Sequence, residues 1–546
     1  MNKTGFFKFH KRNILTLILI LTFVWSLFSV KWNRELIHTG GMTIIKEILN
    51  GIIHPNLSSD IILLAIKSSW ITLAYAVAGI SIAIIIGFVF GVLASGVLCF
   101  NNSNKAFCKS IFRSLLGFMR CVHELVWALL FVTAIGLSPY AAIFALAIPY
   151  GGILGRIYAD MLNDVNREPI EALRSSGASR LQLLLYGYLP MVKADMFSYT
   201  MYRFECATRS STVMSFIGLG GLGYQIQLAL DDLKYGDVWT YMYFLVTLVV
   251  ITDLWSNMIR KRFVEDNNHK KGNFNFIKVS LLISIVLIIA SWIHIVVVDK
   301  ASLNSIFTEK NLYHINKFFS GLIGAGEENP AFYDLEQWRN VLKLTLETLQ
   351  MSIMAIGFAT IGMVITVISA ARTTMEGKLT LSKGWFSTLL FGIIRALYIF
   401  SRSVPELVWA MIIIFIFKPG ILPGAVALAL HNFGILGKLC AEVVEDINLS
   451  PIRNLSSSGG NSFQILLYGV IPSVMQKFIT YILYRWEVII RTTIVVGFVG
   501  AGGLGQQFKL SMSYFKLSEV TLILIAYLIL VAIVDILSEG ARKLAE

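Results

Sequence analysis

The amino-acid sequence predicts an all-α polytopic membrane protein with about twelve transmembrane helices in two parallel six-helix repeats. Three observations carry this reading. Apolar residues fill 56% of the 546 positions and charged residues 14%, against roughly 45–50% and 25% in a soluble domain. Apolar runs long enough to cross about 30 Å of hydrocarbon recur along the chain. The second half also repeats the first. The same composition excludes a soluble enzyme, a disordered chain and a secreted disulfide scaffold. The five cysteines show no CxxC spacing and the eight histidines no HExxH, so neither a disulfide framework nor a metal site is expected. With no GxxxxGK[ST], the chain has no P-loop, and no catalytic residue or cofactor of its own is expected. The net charge of +13 reads as Lys and Arg concentrated in cytoplasmic loops, not as a nucleic-acid surface.

The runs lie near 13–30, 69–98, 114–136, 139–156, 195–218 and 238–259, then near 277–297, 345–371, 396–417, 421–438, 477–500 and 518–537. The first follows Lys3, Lys8, Lys11 and Arg12, as a signal peptide would. It ends in Phe28-Ser29-Val30-Lys31-Trp32 without a small-residue cleavage site and reads as a retained anchor. With the N-terminus inside, most Lys and Arg fall in cytoplasmic segments, including Arg260-Lys261-Arg262 and Lys270-Lys271. Both termini are then cytoplasmic.

From Arg120 to Ile226 the halves align without a gap at an offset of 282. His123-Glu124-Leu125-Val126-Trp127-Ala128 matches Pro405-Glu406-Leu407-Val408-Trp409-Ala410. Gly152-Ile153-Leu154-Gly155-Arg156 matches Gly434-Ile435-Leu436-Gly437-Lys438. Tyr202-Arg203 with Glu205 and Arg209 matches Tyr484-Arg485 with Glu487 and Arg491. Gly218-Leu219-Gly220-Gly221-Leu222-Gly223 matches Gly500-Ala501-Gly502-Gly503-Leu504-Gly505. Residues 1–265 form the first repeat, 266–276 a cytoplasmic linker and 277–546 the second repeat. Six spans per copy place both copies the same way up, related by a pseudo-twofold axis along the membrane normal. The glycine segments satisfy GxGxxG, but each follows a membrane-length run and not a strand. They are read as close backbone approach or a helix break.

The loop after the fourth span of each half is more than a connector needs. At 160–190 it carries Glu171-Ala172, then Gly177, then Leu189-Pro190 twelve residues beyond the glycine. At 442–472 it keeps Gly459 and Ile471-Pro472 but has Arg453-Asn454 at the Glu-Ala positions. Two short helices hinged at a glycine make a knob suited to a partner's cleft. The plain alternative is an ordinary amphipathic connector. The Glu-Ala-x-x-x-x-Gly pattern with its Leu-Pro resembles the EAA loop of ABC importer permeases, and the Gly-x-Gly-Gly-Leu-Gly segment is similar to theirs. The Pro-Glu-Leu-Val-Trp-Ala run at 405–410 resembles the phosphonate-type branch. His123 replaces the proline in the first copy.

That resemblance implies a permease (MetI-like) fold in each repeat and a membrane subunit that imports a phosphonate-, phosphite- or phosphate-like oxyanion by alternating access. Its implied partners are two copies of an ABC ATPase subunit, which carry ATP and Mg²⁺, an extracytoplasmic substrate-binding protein and membrane lipid. Its implied location is a bacterial inner membrane. The wider family also serves amino acids. An ion-driven secondary transporter would share the twelve spans but not the two loops.

Arginines fall in or beside the spans at Arg120, Arg203, Arg209, Arg395, Arg402, Arg485 and Arg491. Carboxylates stand four residues from several of them, giving Arg120 with Glu124, Glu205 with Arg209, Arg402 with Glu406, and Glu487 with Arg491. Two readings stand: a path that passes a small oxyanion between guanidinium forks, and buried ion pairs that fix helix register. The long outer segments near 31–68 and 298–343 are read as interfacial helices or as a binding-protein contact.

Overall fold

Hydrocarbon supplies no hydrogen-bond partner, so a chain of this composition is forced into helices. The computed structural model describes residues 3–30, 32, 36–37, 40–99, 102–215, 218–267, 274–302, 304, 307–377 and 384–545. Among the described residues the one extended pairing is an isolated antiparallel bridge between Ile37 and Phe417. In chain order the main helices of the first half are α1 (Lys3–Leu27), α2 (Ser59–Ser95), α3 (Asn102–Cys121), α4 (Glu124–Ile135), α5 (Pro139–Asn163), α6 (Arg167–Ser175), α7 (Leu189–Ser215) and α8 (Tyr235–Asn267). Those of the second are α9 (Phe274–Ile293), α10 (Leu335–Thr366), α11 (Trp385–Ser403), α12 (Glu406–Ile414), α13 (Ile421–Glu445), α14 (Ser450–Ser457), α15 (Ile471–Val496) and α16 (Leu517–Ala545). Most of the linker expected at 266–276, with Lys270 and Lys271, lies outside the described residues.

Every predicted run is helical, but two of them are not straight. Among the described residues eight helices are individually long and apolar enough to cross a membrane, or ten if each of two bent pairs is one span. The bends fall inside the runs expected at 114–136 and 396–417. The chain turns by 88° between α3 and α4 and by 92° between α11 and α12. Of the remaining two runs, Asn13–Leu27 makes a shorter apolar helix. The other, α7, carries Lys193, Asp195, Arg203, Glu205 and Arg209 along its 27 residues.

Both helices of each bent pair pack on the helix that follows them. Lys109 donates to Asn163 at 3.0 Å and Arg113 pairs with Asp160 at 2.7 Å, while Gly152 of α5 faces Leu116 and Arg120. Helix α3 therefore runs antiparallel along the later part of α5. Three residues, 136–138, then join the end of α4 to the start of α5. Together α3 and α4 return the chain along the length of α5. The second half repeats this with Arg395 on Glu445 at 2.5 Å and Gly434 against Tyr398 and Arg402.

The chain divides into two compact units that do not coincide with the repeats. One holds residues 49–320; the other holds 1–48 with 321–546. In the first, α9 lies on α2, where Trp292 donates to Ser81 at 3.1 Å and Tyr75 to Asp299 at 3.0 Å. In the second, α1 packs on α10 and α16. Leu15 is buried with Ile479, Leu483 and Ala545, and the Phe23 ring stands edge-on to Phe358. In each repeat, the first span packs with the helices of the other copy.

The glycine segments explain themselves in both units. Gly220, Gly221, Gly502 and Gly503 all have φ between +67° and +90°, a region that L side chains avoid. They turn the chain back so that the next helix lies against the end of α7 or α15. A Cβ on Gly223 would fall 2.1 Å from the Thr212 carbonyl oxygen, and one on Gly505 equally close to that of Ile494. The freed N–H groups are capped from a distance: Leu222 N donates to Thr72 and Leu504 N to Thr348, both at 2.9 Å.

The seat of α1 can be tested at Gly357. A Cβ there would lie 2.0 Å from the Phe23 ring. Gly357→Val is expected to destabilise the protein by about 1–3 kcal/mol through overpacking, read as a lower thermal midpoint in detergent. Gly357→Val with Phe23→Ala should recover most of the loss.

Candidate functional site

The two knobs have the same architecture and different surfaces. Each starts beside an asparagine at the same repeat position: Asn166 caps its helix, accepting from Glu168 N at 3.2 Å, and Asn448 accepts from Ser450 N at 3.0 Å. Each short helix ends at a left-handed glycine, Gly177 at φ +86° and Gly459 at φ +83°. A capping box then starts the next turn, Ser179 with Gln182 and Asn461 with Gln464. A wide turn over 183–188 or 465–470 leads into Leu189-Pro190 or Ile471-Pro472, with proline in the first turn, where its missing N–H breaks no bond. Ile170 and Ile452 are the buried pivots, 6% and 2% exposed, and Gly187 and Gly469 leave room above them. Glu171, Ala172, Arg453 and Asn454 are all exposed. Helix α6 presents Arg167, Glu168, Glu171 and Arg174, whereas α14 presents Arg453 alone. Next to the first knob, where α5 meets α7 and α8, a cavity of about 670 Å³ is lined in part by Asp164, Asp195, Tyr199, Tyr202 and Arg260.

The buried charges form larger groups than pairs. In the second half Arg491 bonds Glu487 at 2.8 Å and both oxygens of Asp535 at 2.9 Å. Arg542 reaches the other Glu487 oxygen at 3.1 Å. The first half pairs Arg209 with Glu205, and Arg260 approaches the second Glu205 oxygen at 3.9 Å. These groups tie α7 to α8 and α15 to α16. Sequence reasoning missed Arg260, Arg542 and Asp535, although the 282 offset also matches Arg260 to Arg542 and Asp253 to Asp535. The other arginines have separate duties. Arg203 bonds the Tyr199 hydroxyl and lies over the Tyr199 and Tyr202 rings, and Arg485 bonds Asn432.

The corner residues Arg120, Glu124, Arg402 and Glu406 do not sit at helical i,i+4 spacing. Arg120 is in the last turn of α3 and Glu124 opens α4, so the 88° bend lies between them. The same holds for Arg402 and Glu406 across the 92° bend. Each corner glutamate has an imidazole beside it. His123 Nε2 lies 3.5 Å from Glu124, and His431 Nε2 lies 3.5 Å from Glu406. Among the described residues no cluster of His, Cys, Asp and Glu is arranged to hold a metal.

Residues 83–265 and 377–546 each match the family of binding-protein-dependent transport system inner membrane components. A duplicated helical membrane chain carrying two such domains belongs to that family. The phosphate-import permease protein PhnE of Mycolicibacterium smegmatis is 27% identical over 472 residues, covering 86% of this chain and 84% of its own length. The phosphite transport system permease protein PtxC of Stutzerimonas stutzeri is 35% identical over 219 residues, 40% of this chain and 75% of its own. A chain of the MetNI methionine ABC transporter, solved in inward-facing conformations, matches 38% of this chain and 99% of its own at 19% identity, with a TM-score of 0.34.

The Arg491 group makes a sharp prediction. Arg491→Met leaves Asp535 and Glu487 buried with less compensation and should cost roughly 3–5 kcal/mol, because a buried charge loses its partner. Asp535→Leu added to Arg491→Met should restore most of the thermal midpoint, since Glu487 keeps Arg542.

Proposed function

We propose that this chain is a transmembrane permease subunit of an importer for a phosphonate-, phosphite- or phosphate-like oxyanion. Two ATPase subunits, which hold the ATP and Mg²⁺, work on the knobs at 160–190 and 442–472. A substrate-binding protein delivers the anion at the outer face. The observation that carries this reading is the pair of preformed knobs, each a short helix, a glycine turn and a capping box around one buried isoleucine. Such a rigid exposed element passes a push from a partner into the span that follows it. Relatives named for phosphate and phosphite support the anion class. The run Arg260-Lys261-Arg262, at the end of α8, supports cytoplasmic termini. The chain does no bond chemistry; ATP hydrolysis belongs to its partners.

In this reading the buried Arg–Glu–Asp groups are clamps between the last two helices of each repeat. Their carboxylates match their guanidiniums in number in the second half, where Glu487 and Asp535 face Arg491 and Arg542. Such a group holds helices together and leaves little charge to attract an anion.

The test is ATP-driven uptake of labelled phosphite, phosphate and a phosphonate into proteoliposomes holding the chain, its ATPase and its binding protein. Uptake of none of the three, with ATP hydrolysis still stimulated by the loaded binding protein, would overturn the anion class. For the knobs, Glu171→Arg should lower stimulated hydrolysis about tenfold, about 1.4 kcal/mol of lost coupling. Arg453→Glu should change it less than about threefold, because that knob docks by shape.

A further inference from the structure

The two corner histidines come from different places in the two repeats. His123 is the cap residue of α4, and the residue at its position in the second half is Pro405. His431 lies within α13, and the residue at its position in the first half is Pro149, inside α5. Each half thus has one histidine and one proline at these two positions, in opposite order. Despite the exchange, both imidazoles bring Nε2 to 3.5 Å from Oε2 of the corner glutamate. The surroundings match as well. Gly152 and Gly434, three residues beyond Pro149 and His431, press on Leu116 and Tyr398 of the preceding helix, with a Cβ reaching their carbonyl oxygens at 2.9 and 2.6 Å. The residues at 149 and 431 therefore face the corner from equivalent turns.

The other ring nitrogen is fixed differently in each case. His123 Nδ1 accepts from Leu125 N at 3.2 Å, so it caps α4. His431 Nδ1 faces the Val404 carbonyl at 2.8 Å and donates to it, pinning the residue before Pro405. Two unrelated backbone anchors hold the ring, and in both cases Nε2 faces a carboxylate oxygen of the corner glutamate; His123 donates from Nε2 as the neutral ring, whereas His431, whose Nδ1 already donates, does so as the imidazolium. A requirement for backbone capping alone would not produce this agreement. The shared outcome is a carboxylate at the corner of a bent pair, held by an imidazole, with both side chains largely buried at 6–14% exposure.

We propose that His123 and His431 are positioning residues that hold the corner carboxylates Glu124 and Glu406 for the transport cycle, supplied from two interchangeable positions. This rests on the importer reading above. The proposal predicts that the second half can be rewritten in the pattern of the first. Pro405→His combined with His431→Pro places the ring at the cap and the proline in the helix, as the first repeat already does at His123 and Pro149.

The experiment compares His431→Ala, the Pro405→His/His431→Pro exchange and Glu406→Gln in the reconstituted complex, together with thermal stability. Glu406→Gln and His431→Ala should each lower anion uptake at least tenfold, with thermal midpoints near the parent's. The exchange should return uptake to within about threefold of the parent. Uptake unchanged in His431→Ala would overturn the proposal. So would an exchange protein as stable as the parent but inactive, or a loss in His431→Ala matched by a fall in thermal midpoint, which marks a structural role. The parent's own uptake tests the importer reading separately. If the parent moves none of the three anions, stimulated ATP hydrolysis is compared across the same variants.

Discussion

Hydrocarbon forgives a continuous helix and penalises each interruption, because a backbone N–H or carbonyl left there has no water to turn to. This chain interrupts its helices repeatedly and supplies partners at the breaks. At the first corner His123 accepts the exposed N–H of Leu125. Beyond the fifth span of each repeat, Thr72 and Thr348 reach across to cap Leu222 and Leu504. Pro405 opens α12 where a missing N–H breaks nothing. The breaks are where the chain departs from a simple bundle.

The regular parts were legible in the sequence because hydrophobic length and the 282 offset are one-dimensional signals. Apolar runs located the helices, and the glycine of each knob located its turn at Gly177 and Gly459. The corners were not legible. Leu125-Val126-Trp127-Ala128 is strongly apolar and Leu115 to Met119 precede it, so one hydropathy window joins both sides of an 88° bend. The charge groups were half legible. Glu205 with Arg209 and Glu487 with Arg491 sit on one helix, whereas Asp535 and Arg542 arrive from another helix tens of residues later. The placement of α1 and α9 carried no signal, since a helix apolar on all sides does not say which neighbour it prefers.

Duplication has left the two halves alike in backbone and unlike in chemistry. The knobs keep their capping boxes, glycines and buried isoleucines but exchange Glu171 for Arg453. The corners keep their carboxylates but draw the imidazole from different helices. Selection within a fused chain can act on each copy separately, which two identical subunits do not allow. The shared features mark what the geometry demands.

The exchange of first spans sets a problem of timing. Leu15 and its packing partner Ala545 stand about 530 residues apart in the sequence. At 5–20 residues per second, about half a minute to two minutes separates their synthesis. Throughout that interval α1 waits in the bilayer with its final binding face against lipid. Its exposed belt of Leu17, Ile18, Ile20 and Leu21 suits that wait, since lipid solvates such a surface as well as protein does. Assembly of this chain is therefore closer to the meeting of two separately inserted pieces than to growth from one end.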